Sequence, residues 1–201
     1  MLPVPESTRP GVVQQFVTDV RDQDVSLRLV READAAFIVE LRTSPDASQF
    51  LSASTQDVAA QQEWIQAYRT REDAGQEFYF IVTYHNEPVG CVRMYDFRDE
   101  SFCWGSWILK PGQPGSVALQ VVAAIYDLGF RCLQFPGAHF SVVRENKSVH
   151  RFHRRMGAES VGEDDEQFHF EITRQAVTEF LTRRGLWPED DNNQNDGRQV
   201  A

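Results

Sequence analysis

Residues 101–158 constrain this chain more than any other stretch. Ser101–Leu109 (SFCWGSWIL) is strand-like, rich in aromatic and apolar side chains. It runs into a turn that carries Pro111, Gly112, Pro114 and Gly115, after which Ser116 to about Gly129 reads as an apolar helix. A second strand, Ala138–Arg144, delivers Asn146 to the start of a short basic helix that ends at Met156-Gly157-Ala158. Strand, turn, helix, strand, helix commits the chain to α/β packing. The helix that opens behind Gly115 presents unpaired backbone N–H groups and a partial positive charge, which attract phosphate.

The flanking sequence extends the same architecture. Val25–Val30 alternates apolar and polar residues as a strand does, Glu32-Ala33-Asp34 opens a helix to about Leu41, and Thr55-Gln56-Asp57 opens another to about Thr70. Phe78–Tyr84 and Pro88–Tyr95 are two strands joined by the turn His85-Asn86-Glu87, and Arg98–Glu100 turns into Ser101–Leu109. Gln167–Ile172 is a last strand, and Thr173 caps a closing helix to about Arg184. No repeat or mid-chain linker interrupts the series. At 201 residues, 41% apolar, this predicts one α/β domain over 24–184, with a mixed central sheet flanked by helices. Residues 1–23 read as an N-terminal extension, with a short helix over Val12–Val20, and 185–201 as an acidic, disordered tail.

Composition excludes several function classes. A net charge of −10 argues against general nucleic-acid binding, which needs a basic stripe. No run approaches the length of a membrane helix, and MLPVPESTRP lacks the form of a signal peptide. Cys91, Cys103 and Cys132 are scattered singly without metal-type spacing, so they read as small buried hydrophobes, no metal is expected, and the expected location is cytoplasmic. Within this acidic chain Arg144, Lys147, Arg151, Arg154 and Arg155 gather with His150 and His153 around one helix. That cluster suits an anion site, although a solvated face has the same composition.

The element order, with Asn146, Val149, Phe152 and the Met156-Gly157-Ala158 ending, resembles the GNAT N-acetyltransferase superfamily over about 25–173. The run Leu41-Arg42-Thr43 is similar to that of amino-sugar and ribosomal-protein N-acetyltransferases. The resemblance implies a GNAT-like fold and acetyl-CoA as acetyl donor. It implies that the pantetheine arm pairs with the backbone of Trp107, Ile108 and Leu109 as a surrogate strand. The pyrophosphate would rest on Gln113, Gly115, Ser116, Val117 and Ala118, where the family usually reads Arg/Gln-x-x-Gly-x-Gly/Ala. This chain reads Gln113-x-Gly115-x-x-Ala118 with two prolines, each lacking a donor.

Asn146 reads as a helix cap, and the resemblance adds a hydrogen bond to the pantetheine. His153 lies seven residues after Asn146, where many family members carry a Tyr that protonates the departing thiolate. It falls on the margin of the Val149, Phe152, Met156 stripe and, as a histidine, can give up a proton near neutral pH. Arg42 would hold a phosphate or carboxylate of the acceptor. The base is open among Asp96, Asp99, Glu100, Glu40 and Glu145. Gly105 is compatible with a bulge, a close approach, or relief of crowding between Trp104 and Trp107.

The leading expectation is acetyl transfer, by direct attack, to a primary amine of a small molecule such as an amino-sugar nucleotide. The alternatives are N-terminal or side-chain acetylation of a protein, and a non-catalytic acyl-CoA sensor. The implied partner is the small-molecule amine, with neither nucleic acid nor membrane, and a homodimer is allowed for.

Overall fold

A computed structural model describes residues 2–21, 23–44 and 57–188. Seven strands form one mixed sheet in the order β1-β2-β3-β4-β5-β7-β6. These are β1 (Val25–Leu29), β2 (Phe78–Tyr84), β3 (Glu87–Tyr95), β4 (Ser101–Leu109), β5 (Gly137–Val143), β6 (Glu159–Glu163) and β7 (Gln167–Thr173). Only β4 and β5 pair in parallel; every other neighbour is antiparallel. Six α-helices flank the sheet among the described residues: α1 (Arg9–Asp19), α2 (Ala35–Thr43), α3 (Val58–Asp73), α4 (Gly115–Tyr126), α5 (Lys147–Met156) and α6 (Arg174–Thr182).

Strand alternation divides the core between the two faces of the sheet. One face buries Phe80, Val92, Phe102, Trp104, Phe140 and Phe170 under α1, α4, α5 and α6. The other buries Tyr79, Ile81, Cys91 and Ile108 under α2 and α3. The parallel crossover from β4 to β5 is made by α4, which continues past Tyr126 as a wider π-type turn to Cys132. The helix α5 stops where Gly157 takes a φ of 99°, a left-handed conformation that costs glycine little.

Three features differ from the sequence expectations. The N-terminal extension packs onto the domain: the helix expected over Val12–Val20 runs over Arg9–Asp19, and Val13, Phe16 and Val20 are buried in the main core. Their i, i+3, i+7 spacing makes an apolar stripe that Pro and Ser at the start of the chain obscure. The start of the expected tail is anchored as well, because Trp187 is buried, with the Arg131 guanidinium 5.8 Å from its ring centroid. Residues 189–201 of the expected tail lie outside the described residues, as do 45–56, which include Thr55 and Gln56 at the expected start of the second helix. Finally, β6 has no counterpart in the sequence reading. All five of its residues are exposed, so no alternation announces it, and it exists through its ladder to β7.

Candidate active site

The parallel pairing of β4 and β5 covers only Ser101↔Gly137, Phe102↔Ala138 and Cys103↔His139. Beyond that pair the strands part. A bulge separates them: between the pairs Cys91↔Ile108 and Arg93↔Gly105, β4 carries one residue more than β3, and Ser106 takes a φ of 47°. Gly105 sits at the bulge because a Cβ there would meet the Tyr95 hydroxyl at 3.0 Å. Of the three readings of Gly105, bulge and close approach both hold.

The opening between the strands is a cleft of about 360 Å³. Its walls are Trp104 to Leu109 on one side and Phe140 to Val143 on the other, with Asn146, Val149 and His153 along α5 and with Ser44 and Pro111 at its edges. The structure thus brings Trp107, Ile108, Leu109, Asn146 and His153 into one cleft. Backbone groups of a strand that has lost its neighbour remain open to a substitute strand.

Gln113, Gly115, Ser116, Val117 and Ala118 are not in the cleft lining but follow directly from Pro111. The N-cap of α4 is Pro114, which offers no side-chain acceptor to the first turn. Gly115 and Ser116 are exposed, and a Cβ at Gly115 would meet nothing within 4 Å. An anion therefore has room against their N–H groups. Val117 departs from the expectation. Its side chain is fully buried in the core, and its N–H already donates to the Pro114 carbonyl at 2.9 Å. Four cations of α5, Lys147, Arg151, Arg154 and Arg155, are exposed and form no ion pair among the described residues, whereas Arg144 is tied to Glu163 at 3.2 Å.

Asn146 caps α5: its side-chain oxygen accepts from the Val149 N–H at 3.3 Å and from the Ser148 hydroxyl at 3.0 Å. The side-chain NH₂ group has no acceptor among the described residues, so capping leaves it available to a ligand carbonyl.

His153 corrects the sequence reading. It is not marginal but buried, 5% exposed, with its ring 4.1 Å from that of Phe140 and 5.7 Å from that of Trp104. Burial, and then the neighbouring His150, push its pKa down to about 4. Near neutral pH this favours the uncharged imidazole, which can donate a hydrogen bond but is no charged acid. Its Nδ1 is buried with no hydrogen-bond partner among the described residues.

Arg42 lies in the last turn of α2, is half-buried, hydrogen-bonds the Tyr79 hydroxyl, and is not part of the cleft lining. Among the carboxylates considered as base, Glu40 lies 3.5 Å from Lys110. Asp96 is held below the usual carboxylate range by hydrogen bonds from Arg98 and His139. Burial pushes the Cys103 thiol up to about 11, which disfavours an acyl-cysteine intermediate. No group of three or more metal-binding side chains occurs among the described residues, and none of their helices is long and apolar enough to cross a membrane.

The family model described as "Acetyltransferase (GNAT) domain" matches residues 24–159. The apo structure of FdhC, a nucleotide-linked sugar GNAT, is 39% identical, covers 81% of this chain and 94% of its own, and superposes with a TM-score of 0.74. Two others share the fold at lower identity. RimJ of Mycobacterium smegmatis, bound to CoA-disulfide, is 20% identical, with a TM-score of 0.67 over 80% of this chain and 89% of its own. Spermidine N-acetyltransferase of Vibrio cholerae, bound to CoA and spermine, is 16% identical, with a TM-score of 0.65 over 78% and 99%. No curated protein sequence matches the chain. The chain belongs to the GNAT acetyltransferase family and is an acyltransferase.

Proposed function

We propose that this enzyme moves an acetyl group from acetyl-CoA to the primary amine of a small molecule, an amino sugar carried on a nucleotide, by direct attack. The observation that carries the reading is the abrupt end of β4–β5 pairing at Cys103 and His139, which opens a slot between two strands. A pantetheine arm fits such a slot as an extra strand along Trp107, Ile108 and Leu109, with the Asn146 amide donating to one of its carbonyls. The pyrophosphate then meets the Gly115 and Ser116 N–H groups. The thioester lies near the parting of the strands, where the His153 imidazole can donate to the sulfur as negative charge develops on it. The likeness to FdhC supports a nucleotide-linked amino sugar as acceptor.

Turnover is tested by thiol release from acetyl-CoA with nucleoside-diphosphate-linked amino sugars, free amino sugars, polyamines and peptides. The reading expects the sugar nucleotides to react fastest; activity confined to peptides, or thiol release with none of them, overturns it. The phosphate site has its own test. Ser116→Glu puts a carboxylate where the reading places pyrophosphate. A helix N-terminus tolerates an acid, so folding is expected to be unchanged, while CoA affinity falls about tenfold or more. Calorimetry that finds equal affinity in Ser116→Glu and wild type removes pyrophosphate from this helix.

A further inference from the structure

On the face of the sheet away from His153, three side chains form a hydrogen-bonded row that ends in the cleft. Ser141 and His169 are cross-strand partners on β5 and β7, and Ser141 Oγ lies 2.8 Å from His169 Nδ1. His169 Nε2 lies 3.0 Å from Oδ2 of Asp164, in the β6–β7 turn. The other oxygen of Asp164 accepts from the Glu166 and Gln167 N–H groups, at 2.9 and 2.8 Å. Those two backbone donors, and then the imidazole, hold Asp164 below the usual carboxylate range, so near neutral pH it only accepts. The imidazole proton therefore sits on Nε2, and Nδ1 presents its lone pair to the Ser141 hydroxyl. Ser141 is exposed and lines the cleft, two residues beyond His139, the last residue of β5 to pair with β4. Its neighbour Phe140 points to the other face, where its ring lies 4.1 Å from that of His153. A molecule in the cleft thus has the His153 ring on one side and, on the other, a hydroxyl backed by an imidazole lone pair.

We propose that Ser141 and His169 take the proton from the acceptor's ammonium, with Ser141 in contact with the amine and His169 receiving the proton through it. This rests on the acetyl-transfer reading above and supplies a base to a cleft whose lining holds no carboxylate among the described residues. The ammonium gives one proton to Ser141 Oγ while the Ser141 proton moves to His169 Nδ1, leaving an imidazolium paired with Asp164. The freed lone pair then forms the C–N bond as the C–S bond breaks. The nitrogen's second proton passes to the departing CoA thiolate, its third stays on the amide, and the proton on His169 returns to solvent. Asp164 is the positioning residue: it fixes the tautomer and offsets the imidazolium. The charged and titratable groups around His169 are Asp164, Asp165 and Glu166 of the turn, Glu171 along β7, Glu159 on β6, His139 beside Ser141 on β5, and Arg144 just beyond β5. The carboxylates favour the imidazolium, while Arg144, which binds the Asp164 carbonyl at 2.8 Å, has its charge offset by Glu163.

The test is the pH dependence of kcat/KM for the amine in wild type, His169→Gln and Ser141→Ala, with CoA binding measured alongside. His169→Gln is expected to lose about 100-fold at neutral pH. Ser141→Ala is expected to lose a smaller factor of about ten, because a water can take the place of the hydroxyl. In both, CoA affinity stays within about threefold, and the deficit shrinks as pH rises toward the amine's own pKa, where the free base is present without help. A His169→Gln enzyme as fast as wild type, or a deficit constant at every pH, overturns the proposal while the acetyl-transfer reading stands. If wild type itself releases no thiol with any amine, both fall together. Ser141→Ala trims an exposed side chain, so its pH profile decides the matter by the same criteria even if His169→Gln fails to fold.

Discussion

Replacing His153 with phenylalanine is expected to lower turnover about 100-fold while acetyl-CoA affinity stays within about threefold. The ring is enclosed by Phe140, Trp104 and Phe152, so a second aromatic ring keeps the packing and removes only the nitrogens. What is lost is a donor that meets charge as the C–S bond breaks, an interaction stronger in the transition state than in the ground state. The same substitution alters the pH dependence of stability, and the sign follows from the folded pKa of about 4 against an ordinary 6.5. Between those values the unfolded chain binds the proton and the folded chain does not. The favourable contribution is complete above about pH 6.5 and is lost as pH falls toward 4, to a total of about 3 kcal/mol. His153→Phe lacks this component, so denaturant unfolding at pH 7 and pH 4.5 should show a smaller acid loss in the variant. Equal acid losses would place His153 in solvent, and undiminished turnover would remove it from the chemistry.

Glu77→Ala is expected to cost about 4 kcal/mol of stability, the range for stripping a buried charge of its partner. The Glu77 side chain is 5% exposed and binds two guanidinium groups: Arg71 Nε donates at 2.6 Å, and Arg93 pairs with the second oxygen. Arg93 is itself held between the Trp64 ring at 5.5 Å and the Tyr95 ring at 5.0 Å and cannot turn out to water without leaving both. Without the carboxylate its charge stays in a half-buried aromatic setting with Arg71 nearby. In a domain of this size the loss corresponds to a melting temperature lower by about 10 °C. The double variant Glu77→Leu/Arg93→Leu should recover much of that, because an apolar pair replaces the stranded charge. A loss below about 1 kcal/mol in Glu77→Ala would mean that Arg93 relaxes into solvent.

Much of the fold was legible because its elements follow local rules. Phe78–Tyr84 and Ser101–Leu109 begin and end where β-rich residues give way to turns, and Lys147–Met156 runs from an Asn cap to a left-handed Gly. The strand β6 escaped because an exposed edge strand has no buried face to enforce alternation. The cleft residues of β4 and α5 were legible through family resemblance. The burial of His153 in the site, and a hydrogen-bonded chain outside the cleft lining, were not, because both depend on tertiary register. Burial of His153 needs Phe140 from another strand against its ring. The Asp96–His139–Ser101 chain joins a turn, β5 and β4, and only the Cys103↔His139 pairing aligns it. Strand alternation did hold one usable signal: in AHFSVV, His139 and Ser141 point opposite to Phe140.

A crystal structure of the protein with acetyl-CoA tests the central claim most directly. The thioester should lie just beyond the Cys103↔His139 pair, within hydrogen-bond reach of His153, with pantetheine amides bonded to the β4 backbone at Trp107–Leu109 and the pyrophosphate on the Gly115 and Ser116 N–H groups. A coenzyme bound elsewhere on the molecule, with the β4–β5 cleft empty, would contradict it.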